Sequence, residues 1–285
     1  MTGVLFSLLP LFFWGISDYI SGRMAKSLHP AALNLFFGFG IGIPTVIICS
    51  FFGWPDISWS IMSGFFLSST ILTIGFMSQL LAFRHGLAGV VAPIANAYAI
   101  VTLCIAALFL DTATSLAQII SVLVVVVGIG MLSFQRNAKK TEGTFKSVIY
   151  ALVAMVFFGI GFALFDVAAT QEWYANAILF QISGVVVAFV VGLLWQRTSL
   201  IPETLEIAKL KLGYLGSIAA MCGTIGLFLA LENVDNVAIP ATIAAASPLV
   251  TVLLARHFDM ERLTPRQYVA AVVVVAGIVL LGMNS

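Results

Sequence analysis

Charge is what this sequence lacks. Of its 285 residues only 9% are Asp, Glu, Lys or Arg, against about 25% in an ordinary soluble domain. That is too few to coat a water-facing exterior, which excludes a soluble enzyme and a disordered chain. A net charge of +1 offers no basic face to nucleic acid. Cysteine is nearly as scarce. Cys49, Cys104 and Cys222 sit alone within apolar runs, so neither a disulfide framework nor a cysteine metal site is indicated. Catalytic signatures are missing as well: there is no HExxH, GxSxG or Walker sequence, and Gly38-x-Gly40-x-Gly42 lies inside an apolar run rather than after a strand. No cofactor is therefore expected, and any work the chain does must draw on an ion or substrate gradient. What the sequence has in abundance is apolar residues, 61% of the total. It reads as an integral membrane protein.

The few charges divide the chain into long uncharged stretches. Ser27–Pro55, Ile57–Phe83, His85–Leu110, Thr112–Gln135, Trp173–Gln196, Leu212–Leu231, Val237–Ala255 and Gln267–Ser285 carry no Asp, Glu, Lys or Arg. A helix needs about 20 apolar residues to cross ~30 Å of hydrocarbon, so eight stretches qualify outright. Two more, Thr2–Gly22 and Ser147–Thr170, qualify if each tolerates one carboxylate, Asp18 and Asp166. The expected architecture is an all-α integral membrane protein with ten transmembrane helices. Their approximate positions are 3–22, 31–53, 60–83, 89–110, 115–134, 146–169, 175–196, 210–231, 237–256 and 265–284. A β-barrel is excluded because the runs are continuous rather than alternating.

Lys and Arg fix the expected orientation. All 13 basic residues fall on or beside the loops after odd-numbered spans, whereas the even loops hold Asp56, Asp111, Glu172, Glu232 and Asp235 and no base. The positive-inside bias places the odd loops in the cytoplasm and both termini outside. Trp54, Trp59 and Trp173 then gather at the outer interface and Trp195 at the inner one, as an aromatic belt would.

The chain also repeats itself, with a shift that drifts from 144 to 149 residues. Phe13-Trp14-Gly15-Ile16 matches Phe157-Phe158-Gly159-Ile160, and Leu81-Ala82-Phe83 matches Leu229-Ala230-Leu231. Pro93 matches Pro240, Val101-Thr102 matches Val250-Thr251, and Gln118 and Gly128 match Gln267 and Gly277. This divides the chain into repeats at 1–137 and 138–285. Five spans is an odd number, so the second repeat enters the membrane from the opposite face. Inverted repeats place a binding site near the midplane between the copies and permit alternating access. That expectation turns a membrane protein into a candidate transporter.

These features resemble the drug/metabolite transporter superfamily, specifically its EamA-like ten-span members. The resemblance spans both halves. It rests on the Trp14-Gly15 and Phe158-Gly159 openings, on Leu81-Ala82-Phe83-Arg84-His85-Gly86 with the proline-bearing fourth span, and most fully on Ser247-Pro248-Leu249-Val250 leading to Met260-Glu261-Arg262-Leu263-Thr264-Pro265. The first half departs from the pattern, with Thr112 aligned to Glu261 and Ala99 in the place of Pro248. The resemblance implies a secondary carrier of small organic metabolites, often an exporter of amino acids or related compounds. It also implies that the fifth and tenth spans are peripheral, with the cavity lined by the others.

Polar groups inside apolar spans are the candidate site. A carboxylate at a helix centre costs about 2.5–3.5 kcal/mol on insertion scales, so Asp18 and Asp166 are expected to face a cavity or a partner. For Asp18 two readings stand: transport chemistry, or an ion pair with Arg23 or Arg84 at the cytoplasmic interface. Asp166 has no basic residue on its side of the membrane and is the stronger candidate for binding an amine or carrying a proton. Gln79, Asn96, Ser17 and Thr224 are further candidates, alongside Asn34 and Gln181, although side-chain amides as often serve as packing glue between helices. Trp14 and Tyr98 offer a stacking wall or simply face the bundle. Pro93, Pro240 and Pro248 interrupt helical hydrogen bonding and are hinge candidates. The reading that results is a multi-pass protein of a bacterial-type inner membrane, monomer or homodimer, without metal or nucleic acid. Its expected partners are the lipid bilayer and a small-molecule substrate, best an amino acid or related amine, with export and proton coupling as further expectations. The rival readings are a broad-specificity drug or nucleoside-type carrier, a scaffold with a solid interior, and an intramembrane enzyme.

Overall fold

The computed structural model describes residues 2–56, 58–109, 115–132, 142–170, 172–194, 207–234, 238–259 and 264–283. Every regular element among them is helical, as it must be where no water is at hand to satisfy backbone N–H and C=O groups. In chain order they are α1 (Thr2–Met24), α2 (Pro30–Ser50), α3 (Trp59–His85), α4 (Ala88–Asn96), α5 (Tyr98–Phe109), α6 (Leu116–Leu132), α7 (Glu142–Ala168), α8 (Trp173–Leu194), α9 (Ile207–Glu232), α10 (Ala238–Ala244), α11 (Pro248–Phe258) and α12 (Pro265–Met283). Among the described residues eight segments are long and apolar enough to cross a membrane, α4–α5 and α10–α11 each running as one such segment, while α6 and α12 are shorter apolar helices. The loop bases Arg136, Lys139, Lys140, Arg197 and Arg262, the Glu261 motif and Trp195 lie outside the described residues.

The fourth and ninth apolar segments, the two that carry the hinge candidates, are each broken. After α4 the Ala97 N–H reaches back three residues to Ile94 O at 3.2 Å, rather than four. The Asn96 side chain meanwhile donates to Ala92 O at 2.9 Å, a local bond that competes with the helical ladder. Between α10 and α11 the Ala246 and Ser247 N–H groups likewise bond three residues back, to Ile243 and Ala244. Pro248 opens α11. It has no N–H to continue the ladder, so the break falls just before it. Of the hinge candidates, Pro248 therefore sits at a break and Pro93 lies within α4, four residues before one. Pro240 occupies the first turn of α10, where the missing N–H costs little.

Packing pairs each helix with one from the other half of the chain. The principal contacts are α1 with α9, α3 with α7, α2 with α8, and α6 with α12. Exchanging the halves, so that α1 replaces α7 and α3 replaces α9, maps this set onto itself. Glycines set the closest approaches. A Cβ on Gly15 would lie 2.5 Å from Val250 Cβ, and one on Gly159 would lie 2.3 Å from Val101 Cβ. The Thr251 hydroxyl donates to Gly15 O at 2.9 Å, and the Thr102 hydroxyl to Gly159 O at 3.3 Å. Gly128 against Val274 and Gly277 against Val125 repeat the device between α6 and α12.

Outside, the bundle is apolar: Leu5, Phe12, Ile47, Val127, Leu193 and Val272 are all exposed, as suits a lipid-facing surface. Inside, buried side chains pack toward either end. One cluster, at the ends of the helices that meet the odd loops, centres on Tyr19, Met24, Leu33, Leu80 and Phe83. The other, at the even-loop ends, joins Cys49, Phe65, Phe165, Ile178 and Phe228. Between them lies a hollow.

Candidate functional site

The hollow is a cavity of about 220 Å³ lined from α1, α2, α3, α4 and α5 in the first half and α7, α8 and α9 in the second. A single water needs only about 10–15 Å³ of such space, so the cavity has room for a small organic molecule. Neither α6 nor α12 contributes a lining residue among those described, matching the peripheral place the family resemblance implied for the fifth and tenth spans. α10 and α11 contribute none either, so the ninth segment touches the cavity only through its neighbours.

Helical spacing builds one wall. Phe158, Phe162 and Phe165 recur at the i, i+4, i+7 positions of α7 and so share a face. Phe162 lies between Trp14, with ring centroids 5.9 Å apart, and Tyr98, at 4.9 Å. Toward the even-loop end Phe165 stacks on Phe228 at 5.2 Å, and Phe180 meets both edge-on at 5.6 and 5.7 Å. The cavity is therefore aromatic over much of its surface.

A cluster of polar groups surrounds Asp18, while Ser69 and Gln181 lie beside Phe180. Asp18 is the one charged side chain among the described residues that line the cavity. Gln79 Nε2 donates to its Oδ1 at 3.4 Å and Asn96 Nδ2 to its Oδ2 at 3.2 Å. Asn96 also accepts from the Ser247 hydroxyl at 3.3 Å, which ties the cluster to the break before α11. The ion pair considered for Asp18 does not form. Arg23 turns the other way, donating to Tyr19 OH at 3.1 Å and facing Asp259 at 3.7 Å, and Arg84 is exposed. The carboxyl is thus held by neutral amides and open to the cavity. That arrangement can receive a cationic group, or a proton, with no internal cation to displace.

Nine of the candidates read from sequence line this one cavity: Asp18, Gln79, Asn96, Trp14, Tyr98, Ser17, Thr224, Asn34 and Gln181. Thr224 donates its hydroxyl back to Ala220 O within its own helix at 2.9 Å. Asp166 belongs to α7, but its side chain lies outside the described residues. The phenylalanine wall was missed. Phenylalanine in an apolar span carries no polarity signal, and only the i, i+4, i+7 spacing of Phe158, Phe162 and Phe165 marked it. Two buried donors in the lining, Asn34 Nδ2 and Tyr98 OH, have no hydrogen-bond partner among the described residues. A buried donor left unpaired costs about 1–3 kcal/mol.

The comparisons agree with this picture at the level of family and fold. The EamA-like transporter family model matches residues 1–134 and 145–283. A search of curated proteins by sequence found no match. One crystal structure of a protein with 12% sequence identity superposes with a TM-score of 0.74, covering 99% of this chain and 96% of its own; at that identity the likeness is one of fold. The chain belongs to the EamA-like transporter family.

Proposed function

We propose that this family member carries a small amine across the membrane by alternating access, with Asp18 receiving the cationic group. The observation that carries the proposal is an acidic side chain facing an aromatic cavity, held by Gln79 and Asn96 and without a basic partner among the described residues. A carboxylate and aromatic faces are the two groups that attract an organic cation. No Lys or Arg lines the cavity among the described residues. A substrate carboxylate would find only neutral donors there, so amines without a full negative charge rank ahead of zwitterionic amino acids. The breadth of the aromatic wall favours a second reading of the same site, a carrier tolerant of many lipophilic cations.

The proposed frame is ten spans in two inverted five-helix repeats, 1–137 and 138–285, with odd loops in the cytoplasm, both termini outside, and the chain in a bacterial-type inner membrane. Its support is the contact set that survives exchange of the halves and the family match, which falls in two pieces of five apolar segments each. Export, proton coupling through Asp18, and a second carboxylate role for Asp166 next to cavity-lining Phe165 belong to the same proposal.

Uptake of radiolabelled 2-phenylethylamine into proteoliposomes, with and without a pH gradient, tests it. Wild-type uptake should saturate and respond to the gradient. Asp18→Asn should lower it by at least about 30-fold, the worth of a charge-assisted contact of ~2 kcal/mol. A variant that transports at the wild-type rate with unchanged response to the gradient would overturn the role of Asp18. Asp166→Asn in the same assay decides whether the second carboxylate takes part.

A further inference from the structure

Beyond the carboxylate, the cavity holds a second recognition element. Asn34 is 4% exposed and Tyr98 2% exposed, both line the cavity, and Asn34 Nδ2 and Tyr98 OH are left without a hydrogen-bond partner among the described residues. Protein interiors rarely leave such donors unpaired, and a cavity wall is where a ligand can complete them. Their placement matches that of Asp18. Asp18 lies six residues before the end of α1 and Asn34 four residues after the start of α2, so at 1.5 Å per residue they sit about 9 and 6 Å from the ends joined by the intervening loop. Tyr98 is two residues beyond Asn96, the amide that holds Asp18. An amine bound at Asp18 therefore shares one cavity with both residues and with the phenylalanines.

We propose that Asn34 and Tyr98 form an acceptor-reading subsite, so that the preferred substrate is an aromatic or apolar amine that also carries a neutral oxygen acceptor, such as a carbonyl, near its nitrogen. The proposal rests on the amine reading of Asp18 and deepens it. A site that spends buried donors on an oxygen rejects the analogue lacking it far more strongly than a greasy pocket discriminates by size. Without a cationic residue among the described lining, the oxygen is that of a neutral group rather than a carboxylate.

Competition for bound radiolabelled 2-phenylethylamine on the purified full chain provides the test, with unlabelled 2-phenylethylamine and phenylalanine methyl ester as competitors. The readout is the ratio of their affinities within each protein, which does not depend on how much of a variant is folded. Wild type should favour the ester by at least about tenfold. Asn34→Leu and Tyr98→Phe should each bring the ratio within about threefold of unity, Tyr98→Phe removing a single hydroxyl. A wild-type ratio near one, or a ratio that survives in both variants, overturns the subsite. Asp18→Asn separates the two claims. If it loses both ligands while the ratio persists in the Asn34 and Tyr98 variants, the subsite fails and the amine reading stands. If it binds both as wild type does, the amine reading itself fails.

Discussion

The two halves of the chain share a scaffold and differ in chemistry. Gly15 packs under Val250 as Gly159 packs under Val101. Thr251 bonds Gly15 O as Thr102 bonds Gly159 O, and each half breaks one segment midway. At the cavity the likeness stops. The register that pairs Gly15 with Gly159 sets Asp18 opposite Phe162. The shift that pairs Leu81 with Leu229 sets Gln79 opposite Leu227, and Asn96 falls among Ile243, Ala244 and Ala245. Where one half holds a carboxyl between two amides, the other wedges a ring between Trp14 and Tyr98. The packing positions are the ones both halves need, because each glycine lets two helices touch. A charge is different. A buried carboxylate needs a partner to neutralise it, and Asp18 is the one charged side chain among the described lining residues.

Substitutions at matched positions break or sharpen this contrast. The largest difference belongs to the unmatched pair: Asp18→Asn should abolish most amine uptake, whereas Phe162→Leu, which keeps an apolar wall and gives up one ring face, should lower it by only about fivefold, the worth of a single cation–π contact of ~1 kcal/mol. Equal behaviour of the two would dissolve the asymmetry. Next come the glycines. Gly15→Ala and Gly159→Ala should each cost a net ~1–2 kcal/mol, the overpacking of ~1–3 kcal/mol being only partly offset by the better helix propensity of alanine. Unfolding of the detergent-solubilised chain reads this out, and unequal losses would argue against matched packing. The smallest effect is expected of Thr251→Val and Thr102→Val, about 0.6 kcal/mol each, the usual worth of an interhelical hydrogen bond in a membrane protein. A shift in Tm confined to one of them would show that only one of the bonds bears weight.

Much of the frame was legible before any coordinates. Runs free of charge marked the apolar helices, since a span cannot hide many charges from lipid. The recurrence of Gly15, Val101 and Thr102 at Gly159, Val250 and Thr251 anticipated contacts that the fold then makes between the halves. Nine of the polar and aromatic candidates converge on one cavity for a related reason: polar atoms in hydrocarbon must face something other than lipid. What escaped was directional. The breaks at Ala97 and after Ala244 involve alanines, which any helix accepts, and they depend on Asn96 turning back to Ala92 and on Pro248 lacking an N–H. Arg23 was as near to Asp18 in sequence as an ion pair requires, yet it turns to Tyr19 and Asp259. The phenylalanines of α7 looked like any other lipid-soluble residues until the cavity gave them a side.

Cys49 gives the even-loop cluster a practical use. Its side chain is fully buried, in the same cluster as Phe165 and Phe228. A water-borne maleimide reaches that thiol only when the packing around it loosens. Cys222 is half-buried in α9 and Cys104 is exposed on α5, so replacing those two with serine leaves a single reporter. The unlabelled chain thus carries its own reporter: the rate at which Cys49 reacts times the loosening of that packed cluster.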